Sequence, residues 1–321
     1  MSNIHTWVKR RARLFLWGAI LFFFCVLLRD PTVARTGVER GLSLCVQALI
    51  PSLFPFLVLT RLFVKSGLAI RLGRLLAVPC HLLLGLGDAC GSALLLGALS
   101  GYPVGASCTA ALYRDGLCTR GDAARLLAIT NNAGPAFLIG GVGAVLWRDL
   151  RVGVLLYLAQ LLAALIVGIV MRPRERPSVQ QSASMPTAPL RLGDLTDAIS
   201  QAAPAMLRIC GTVLFFEVLL TALLSTLSPL AELPLLRCLL AGFTEVSAGA
   251  TAAATLFGWT SPAIGIGLTG LAVGWSGLSV LCQVASIAEE AELPLAPYLR
   301  GKLLQGILTG GLAYASALWL L

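Results

Sequence analysis

Two segments decide the fold: LLLGALSGYPVGASCTAAL, residues 94–112, and CLLAGFTEVSAGATAAATL, residues 238–256. Each is an apolar run with a polar, glycine-containing interruption at the same place. A bilayer tolerates irregular polar backbone only where protein or a water-filled cavity covers it. Paired interruptions in two halves of a chain therefore indicate a solute site near the membrane midplane. Aligned without gaps, the segments place Ser100 on Thr244 and share Leu95/Leu239, Leu96/Leu240, Gly105/Gly249, Ala106/Ala250, Ala110/Ala254 and Leu112/Leu256.

The composition is that of a multi-pass membrane protein. Of the 321 residues, 57% are hydrophobic and 12% are charged, and the mean hydropathy is +0.87. Soluble domains average about 25% charged residues. We predict an all-α polytopic membrane protein with about 8–10 membrane helices, including broken helices and re-entrant hairpins, arranged as two pseudo-repeats.

The basic residues indicate topology and not a nucleic-acid partner. The net charge is +9, but the basic residues form short clusters between apolar runs, as the positive-inside rule expects. The cluster at residues 9–13 precedes a first span predicted at residues 14–28, so the N-terminus is predicted to be cytoplasmic. No small-residue cleavage site follows before Arg29 and Asp30, which favours an uncleaved span over a signal peptide.

Composition also predicts the domain boundaries. Residues 172–194 are rich in Pro, Ser, Gln and Arg and are predicted to be a cytoplasmic linker between the halves. The remaining units are an N-terminal anchor helix and link at 1–40, a first repeat at 41–171 and a second at 195–321. In the first repeat, Pro51 and Pro55 predict a kinked span. Residues 75–87 are too short to cross alone and suggest a re-entrant hairpin with the segment that follows.

Two polar groups stand out at the interruptions. Asn131 and Asn132 precede Gly134 and Pro135, and the proline removes a backbone donor and disfavours helix just before it. Two carboxamides beside such a break suit a polar solute, although asparagines also hydrogen-bond between helices in lipid. Glu245 lies inside the second interruption, where an ionisable group suggests function. The alternative is that Glu245 caps the N-terminus of a helix.

The predicted substrate-binding residues are all polar and lie at the interruptions. Any single hydroxyl among them is more often a packing residue than a ligand. Glu217 is embedded in an apolar run without a break, so a structural partner such as Arg208, or a contact in an oligomer, is an equal alternative. The predicted site comprises Ser100, Tyr102, Asn131, Asn132, Thr244, Glu245, Ser247 and Ser276, and Ser279 and Gln283 extend its lining.

The sequence predicts neither an enzyme nor a bound cofactor. It has no GxSxG, HExxH or Walker A motif and no GxGxxG motif after a strand. The nine cysteines form no CxxC pair, and His5 and His81 have no cluster of ligands beside them, so no metal site is predicted. No basic residue lies in the interruptions, so anion binding would depend on amides at broken-helix N-termini.

Four motifs resemble one known family. They are IPSLFPFLVLTRL at residues 50–62, LSGYPVGA at 99–106, TNNAGPAFLIG at 130–140 and TEVSAGA at 244–250. In this order they are similar to sporulation integral membrane proteins of the YlbJ type, which contain nucleoside-recognition, or Gate, domains similar to parts of concentrative nucleoside transporters. The resemblance covers roughly residues 40 to 315. It implies a bacterial cell membrane or forespore membrane protein with hairpins and broken helices.

The resemblance also implies a function. We expect a transporter, or a membrane component of one, that moves a nucleoside-like or dipicolinate-like solute by alternating access at the broken helices. The expected partners are the lipid bilayer, the small-molecule solute, a coupling proton or sodium ion, and further copies of this chain or other membrane proteins. The alternative is a membrane sensor or scaffold of a sporulation complex that transports nothing.

Overall fold

A computed structural model describes residues 17–172, 191–228 and 232–320, and within these ranges it contains helices and no strand. The all-helical fold predicted from the sequence is therefore confirmed. The basic cluster at 9–13 and most of the predicted linker lie outside the described residues. The N-terminal part comprises α1 (Trp17–Arg29), α2 (Pro31–Leu44), the π-helix π1 (Cys45–Leu49), α3 (Ile50–Lys65), α4 (Leu68–Leu75), α5 (Ala77–Pro79) and the π-helix π2 (Cys80–Leu84).

The rest of the chain forms two series of helices. The first series is α6 (Cys90–Ser100), α7 (Val104–Arg114), α8 (Arg120–Thr130), the π-helix π3 (Ala136–Trp147) and α9 (Leu150–Val170). The second begins with the long helix α10 (Leu192–Thr226) and continues with α11 (Pro234–Thr244), α12 (Val246–Phe257), α13 (Pro262–Trp275), α14 (Gly277–Glu290) and α15 (Ala296–Leu320).

Four helical segments in the described ranges are long and apolar enough to cross a bilayer: α9, α10, the pair α13–α14, and α15. A fifth span results if α1 and the helix Pro31–Leu49, which meet at a bend of 100°, count as one. The predicted 8–10 membrane helices include broken and re-entrant ones, and α6, π3, α11 and α12 are apolar but only 11 or 12 residues long. At 1.5 Å per residue such helices reach about halfway through the hydrocarbon core.

Prolines account for the irregular N-terminal region. Asp30 leaves the helical conformation and accepts a hydrogen bond from the Thr32 backbone N–H at 3.0 Å, which caps α2 at Pro31. This confirms the predicted end of the first span. Pro51 lies in the first turn of α3, directly after π1, and Pro55 lies inside α3. The irregular segment expected here is thus a π-helical turn beside a proline-containing helix.

The two series of helices make corresponding contacts. In each series a short helical hairpin, α6–α7 or α11–α12, packs against the next helix, α8 or α13. Each series also contacts the other through corresponding helices. The helix π3 packs against α12, as α14 packs against α7, and α15 packs against α8, as α9 packs against α13. The helices α9 and α15 also contact each other. The broken helices therefore lie at the interface between the two halves.

Glycines permit the close approach within each hairpin. A Cβ added at Gly97 or at Gly105 would overlap the Thr130 carbonyl oxygen at the end of α8. In the second hairpin, a Cβ at Gly249 would overlap the Gly242 backbone of α11. Small residues at such interfaces let helix backbones touch in lipid. These contacts bring the end of α8 and the tip of α11–α12 close to the molecular centre.

Candidate functional site

Four helix breaks form the candidate site. Ser100 ends α6 and Thr244 ends α11, so the residues paired by the gapless alignment are both the last residues before a break. The other two breaks separate α8 from π3, at residues 131–134, and α13 from α14, at Ser276. Ser276 adopts a left-handed conformation with φ 75°, and Gly277 follows with φ 80°. This conformation interrupts a helix, and it is uncommon for a residue other than glycine.

The breaks touch in pairs, one pair in each half. Gly101, with φ 76°, lies against the second break so closely that a Cβ there would be 2.5 Å from the Gly134 nitrogen. In the second half, a Cβ on Gly277 would be 3.0 Å from the Val246 nitrogen and 3.1 Å from the Glu245 Cα. Positive φ and a close backbone approach both require glycine at these positions. Each half thus builds its share of the site from two breaks in contact.

The two pairs face each other across a small cavity of about 30 Å³. This volume accommodates one or two water molecules. Polar atoms from both halves reach the cavity, because its wall includes the first break, the third break and the start of α14. The polar residues that line it are Ser100, Tyr102, Glu245, Ser247, Ser279 and Gln283.

Four of the eight predicted site residues therefore line the cavity: Ser100, Tyr102, Glu245 and Ser247. The hydroxyl oxygen of Tyr102 is buried and has no hydrogen-bond partner among the described residues. A buried hydroxyl without a partner costs free energy, which a bound molecule could recover.

The hydroxyls of Thr244 and Ser276 donate hydrogen bonds to backbone carbonyls of the preceding helical turn. Thr244 donates to the Leu240 and Ala241 carbonyls of its own helix at 2.9 Å, and Ser276 donates to Val273 at 3.3 Å. Neither side chain lines the cavity. Local bonds of this kind satisfy carbonyls at helix ends. The structure therefore gives Thr244 and Ser276 a part in shaping the breaks and places them behind the cavity wall.

Glu245 caps a helix as well as lining the cavity. Its carboxylate oxygen Oε2 accepts a hydrogen bond from the Ala248 N–H at 2.8 Å, and its backbone is extended, with φ −147° and ψ 130°. It is the N-cap residue of α12, the alternative that the sequence left open. A carboxylate here is stabilised by the unpaired amides and the dipole of the helix. The side chain is 2% exposed, so the cap lies deep in the fold.

Asn131 and Asn132 point away from the cavity into a buried polar network. Asn131 donates to the Tyr298 hydroxyl at 3.0 Å. Asn132 donates to the Ile129 carbonyl at 2.7 Å, and its Oδ1 accepts from Gln305 Nε2, also at 2.7 Å. The Asn131 Oδ1 atom is buried with no partner in the described part of the chain. These asparagines join the second break to α15, which is the interhelical role that the sequence offered as an alternative.

Lys302 belongs to the same network, and the sequence did not predict its role. It is 0% exposed, and its ammonium donates to Gln305 Oε1 at 2.9 Å. The ion pairs of the described residues do not include it. The interruptions themselves contain no basic residue, as the sequence shows, but Gln305 connects Lys302 to Asn132. The sequence around residues 131–134 did not indicate this link, because Lys302 lies on α15, which is remote in sequence.

A signal for this network was present in the sequence. Tyr298, Lys302, Gln305 and Thr309 follow one another at intervals of four, three and four residues, so they form one face of α15. All four are 1% exposed or less. A polar stripe on a membrane helix usually faces the protein interior, and it would have placed the last span against the second break.

Gln160 of α9 closes the network on the other side. Its Oε1 accepts from the Ala133 N–H and its Nε2 donates to the Ala133 carbonyl, both at 2.9 Å. A single carboxamide thereby satisfies both backbone groups of a non-helical residue. Gln160 was not predicted either, because it is one polar residue in an otherwise apolar span.

Glu217 lies outside this site. It is 3% exposed on α10, whereas Arg208, its suggested partner, is exposed. The salt bridges of the described ranges do not join the two. Glu217 instead faces a separate crevice, described below.

Together these features define a multi-pass integral membrane protein whose broken helices enclose a polar centre. The chain is 29% identical to "Sporulation integral membrane protein YlbJ" of Bacillus subtilis (strain 168), in a match that covers 89% of this chain and 78% of that protein. No protein-family model matches the chain, and no solved structure does.

The similarity supports the coarser part of the resemblance seen in the motifs. A relationship to the YlbJ type of sporulation membrane protein agrees with the helical, multi-pass architecture. The presence of nucleoside-recognition domains stays a prediction, as do the domain boundaries and the absence of an enzymatic activity.

Proposed function

We propose that this protein is a transporter, or the membrane component of one, for a small polar solute that is nucleoside-like or dipicolinate-like. The observation that carries the proposal is that helix breaks from both halves of the chain meet at one small cavity, into which polar side chains from both halves project. Broken helices with this arrangement are how membrane proteins present backbone and side-chain groups to a solute within the bilayer.

In such a transporter, a cavity of this size would correspond to a closed state. About 30 Å³ is far below the roughly 300 Å³ or more of a typical ligand pocket. Solute binding would therefore separate the first break from the third, which belong to different halves. Relative movement of two repeats about a central site is the usual form of alternating access.

Lys302 bears on the choice between the two solute classes. A buried ammonium without an ion-pair partner is expensive at membrane depth, and an anion near the second break would offset that cost. The Gln305 and Asn132 side chains connect Lys302 to this break. Lys302 does not line the central cavity, so it would contribute to carboxylate binding only in the opened site, and a transport assay can compare the two solute classes.

The test is uptake of labelled dipicolinate and of a nucleoside panel into proteoliposomes. Tyr102→Phe is the informative variant, because the hydroxyl it removes has no partner in the described protein. We expect saturable uptake by the native protein and a KM raised about 2- to 10-fold in Tyr102→Phe, with unchanged thermal stability. Tyr298→Phe is the matched control, since it removes a hydroxyl that accepts from Asn131 outside the cavity.

The outcomes separate the two functional hypotheses. Saturable uptake that Tyr102→Phe weakens and Tyr298→Phe does not would support transport through the cavity. Absence of flux for every solute, with folded protein and intact vesicles, would contradict it. If a solute then still raised the thermal stability of the native protein and not of Tyr102→Phe, a sensor or scaffold would be the better description.

A further inference from the structure

A second, larger cavity lies on the other side of the α11–α12 hairpin. It is a crevice of about 610 Å³ between α2, α10, α11 and α12. Its apolar walls carry several charged and hydroxyl-bearing side chains, which the transport proposal does not use. The residues that define its position are Arg40, Glu217, Arg237, Ala248, Thr251 and Thr255.

The hairpin gives the crevice a mouth and a floor. Arg237 is in the first turn of α11 and Thr255 in the last turn of α12, so both lie at the open end of the hairpin. The break at Glu245 lies about 12 Å deeper than Arg237 along α11, at 1.5 Å per residue, and Ala248 lies one turn from this break on α12. The Ala248 amide is bonded by the Glu245 carboxylate, which faces the small central cavity. One turn of α12 therefore separates the floor of the crevice from the candidate site.

Of the charged residues that line the crevice, Glu39 pairs with Arg35 at 2.7 Å. Neither Arg40 nor Arg237 forms an ion pair or a side-chain hydrogen bond among the residues that the structure describes. Glu217 is 3% exposed and equally unpaired in those ranges, and the Thr251 hydroxyl oxygen is buried without a partner. A structural crevice filled by lipid tails would leave these groups unsatisfied. Water and polar solutes would satisfy them.

We propose that this crevice is a water-filled vestibule through which small anionic solutes approach the α11–α12 break, attracted by Arg40 and Arg237 in its wall. The inference rests on the proposed transport function for its purpose, and its existence can be tested without transport. Because Arg35 pairs with Glu39, the charges of the wall left without an ion pair in the described chain are Arg40, Arg237 and Glu217, which are net positive. A net positive, low-dielectric cleft raises the local concentration of anions.

The experiment measures the reaction of introduced cysteines with membrane-impermeant methanethiosulfonates, one negatively and one positively charged. Ala252→Cys places a thiol on the crevice wall. Leu239→Cys is the control, because Leu239 is 40% exposed on the same hairpin but outside the crevice. The native exposed cysteines, Cys25 and Cys282, are first replaced by alanine.

In a vestibule, Ala252→Cys reacts at least about tenfold faster than Leu239→Cys, since a thiol in lipid does not ionise and the reagents do not enter lipid. Combining Ala252→Cys with Arg40→Gln and Arg237→Gln is expected to lower the ratio of anionic to cationic reaction rates about tenfold. Replacing both arginines by lysine keeps the charge and should keep the ratio.

Two results would overturn the inference. Equal reaction rates of Ala252→Cys and Leu239→Cys would mean that the crevice holds lipid. If the ratio of anionic to cationic reaction rates did not change when the arginines were replaced by glutamine, the arginines would not attract anions. If Ala252→Cys reacts but the protein transports none of the tested solutes, the proposed function is contradicted and the vestibule is still supported. The two proposals can thus fail separately.

Discussion

The strongest structural prediction concerns Gln160, whose carboxamide binds both backbone groups of Ala133 at the second break. Gln160→Leu keeps the approximate volume of the side chain and removes both bonds. Gln160 and Ala133 are 0% and 1% exposed, so water cannot replace the lost partner. The substitution should loosen the α8–π3 break from α9 without creating a large void.

The size of the effect follows from the groups left unsatisfied. A buried donor or acceptor that loses its partner costs about 1–3 kcal/mol, which gives about 2–6 kcal/mol for the two Ala133 groups. Side-chain hydrogen bonds within membranes average nearer 0.6 kcal/mol, because the unfolded state in the membrane also finds partners. We therefore expect a loss of about 2–4 kcal/mol in the free energy of unfolding.

The assay is unfolding in mixed micelles with increasing denaturing detergent, followed by circular dichroism. Gln47→Leu is the matched control: the same substitution at an exposed position of π1, where Gln47 donates only to Ser43. It should change stability by less than about 0.5 kcal/mol. If Gln160→Leu and Gln47→Leu unfold at the same fraction of denaturing detergent, packing alone holds the break and the hydrogen bonds of Gln160 do not stabilise it.

Three further outcomes are expected. Gly249→Ala should lower the free energy of unfolding by about 1–3 kcal/mol, because the new Cβ overlaps the α11 backbone. The control, Gly311→Ala, has no atom within 4 Å of the new Cβ and should be neutral or stabilise the protein by up to about 1 kcal/mol. Equal unfolding midpoints for the two variants would contradict this prediction. If the opened site brings Lys302 into contact with a solute carboxylate, Lys302→Met should weaken uptake of a dicarboxylate about tenfold or more and spare nucleosides, since a charge-assisted hydrogen bond contributes about 1.5–3 kcal/mol. Equal loss for both solutes would show a structural effect. At the start of α9, the Arg151 side chain and backbone N–H hold the pKa of Asp149 below its usual value. The stabilisation from this ionised carboxylate is fully present above the unfolded pKa of about 3.9 and is lost as the pH falls through the lower folded pKa. The difference between the thermal midpoints at pH 6 and at pH 3 should therefore be slightly smaller for Asp149→Asn than for the native protein.

The sequence predicted the breaks well because their causes are local. Pro135 disfavours the helical conformation at Gly134, and the alignment of Ser100 with Thr244 placed two equivalent helix ends correctly. It did not predict which polar groups would meet, since that depends on packing between remote helices. Lys302 reaches the second break only because α15 packs against α8 and α9. No local pattern around residues 131–134 contains that information.

The two halves hold their breaks in different ways, and this difference bears on movement. The second break is tied to neighbouring helices, through Gln160 of α9 and through Gln305 of α15. Glu245 is bonded within its own hairpin, to Ala248. A rigid displacement of α11–α12 would therefore keep the Glu245 cap, whereas displacing the α8–π3 break would sacrifice several buried hydrogen bonds. Because α11–α12 also separates the central cavity from the crevice, it is the element whose movement would connect the two at the lowest cost in hydrogen bonds.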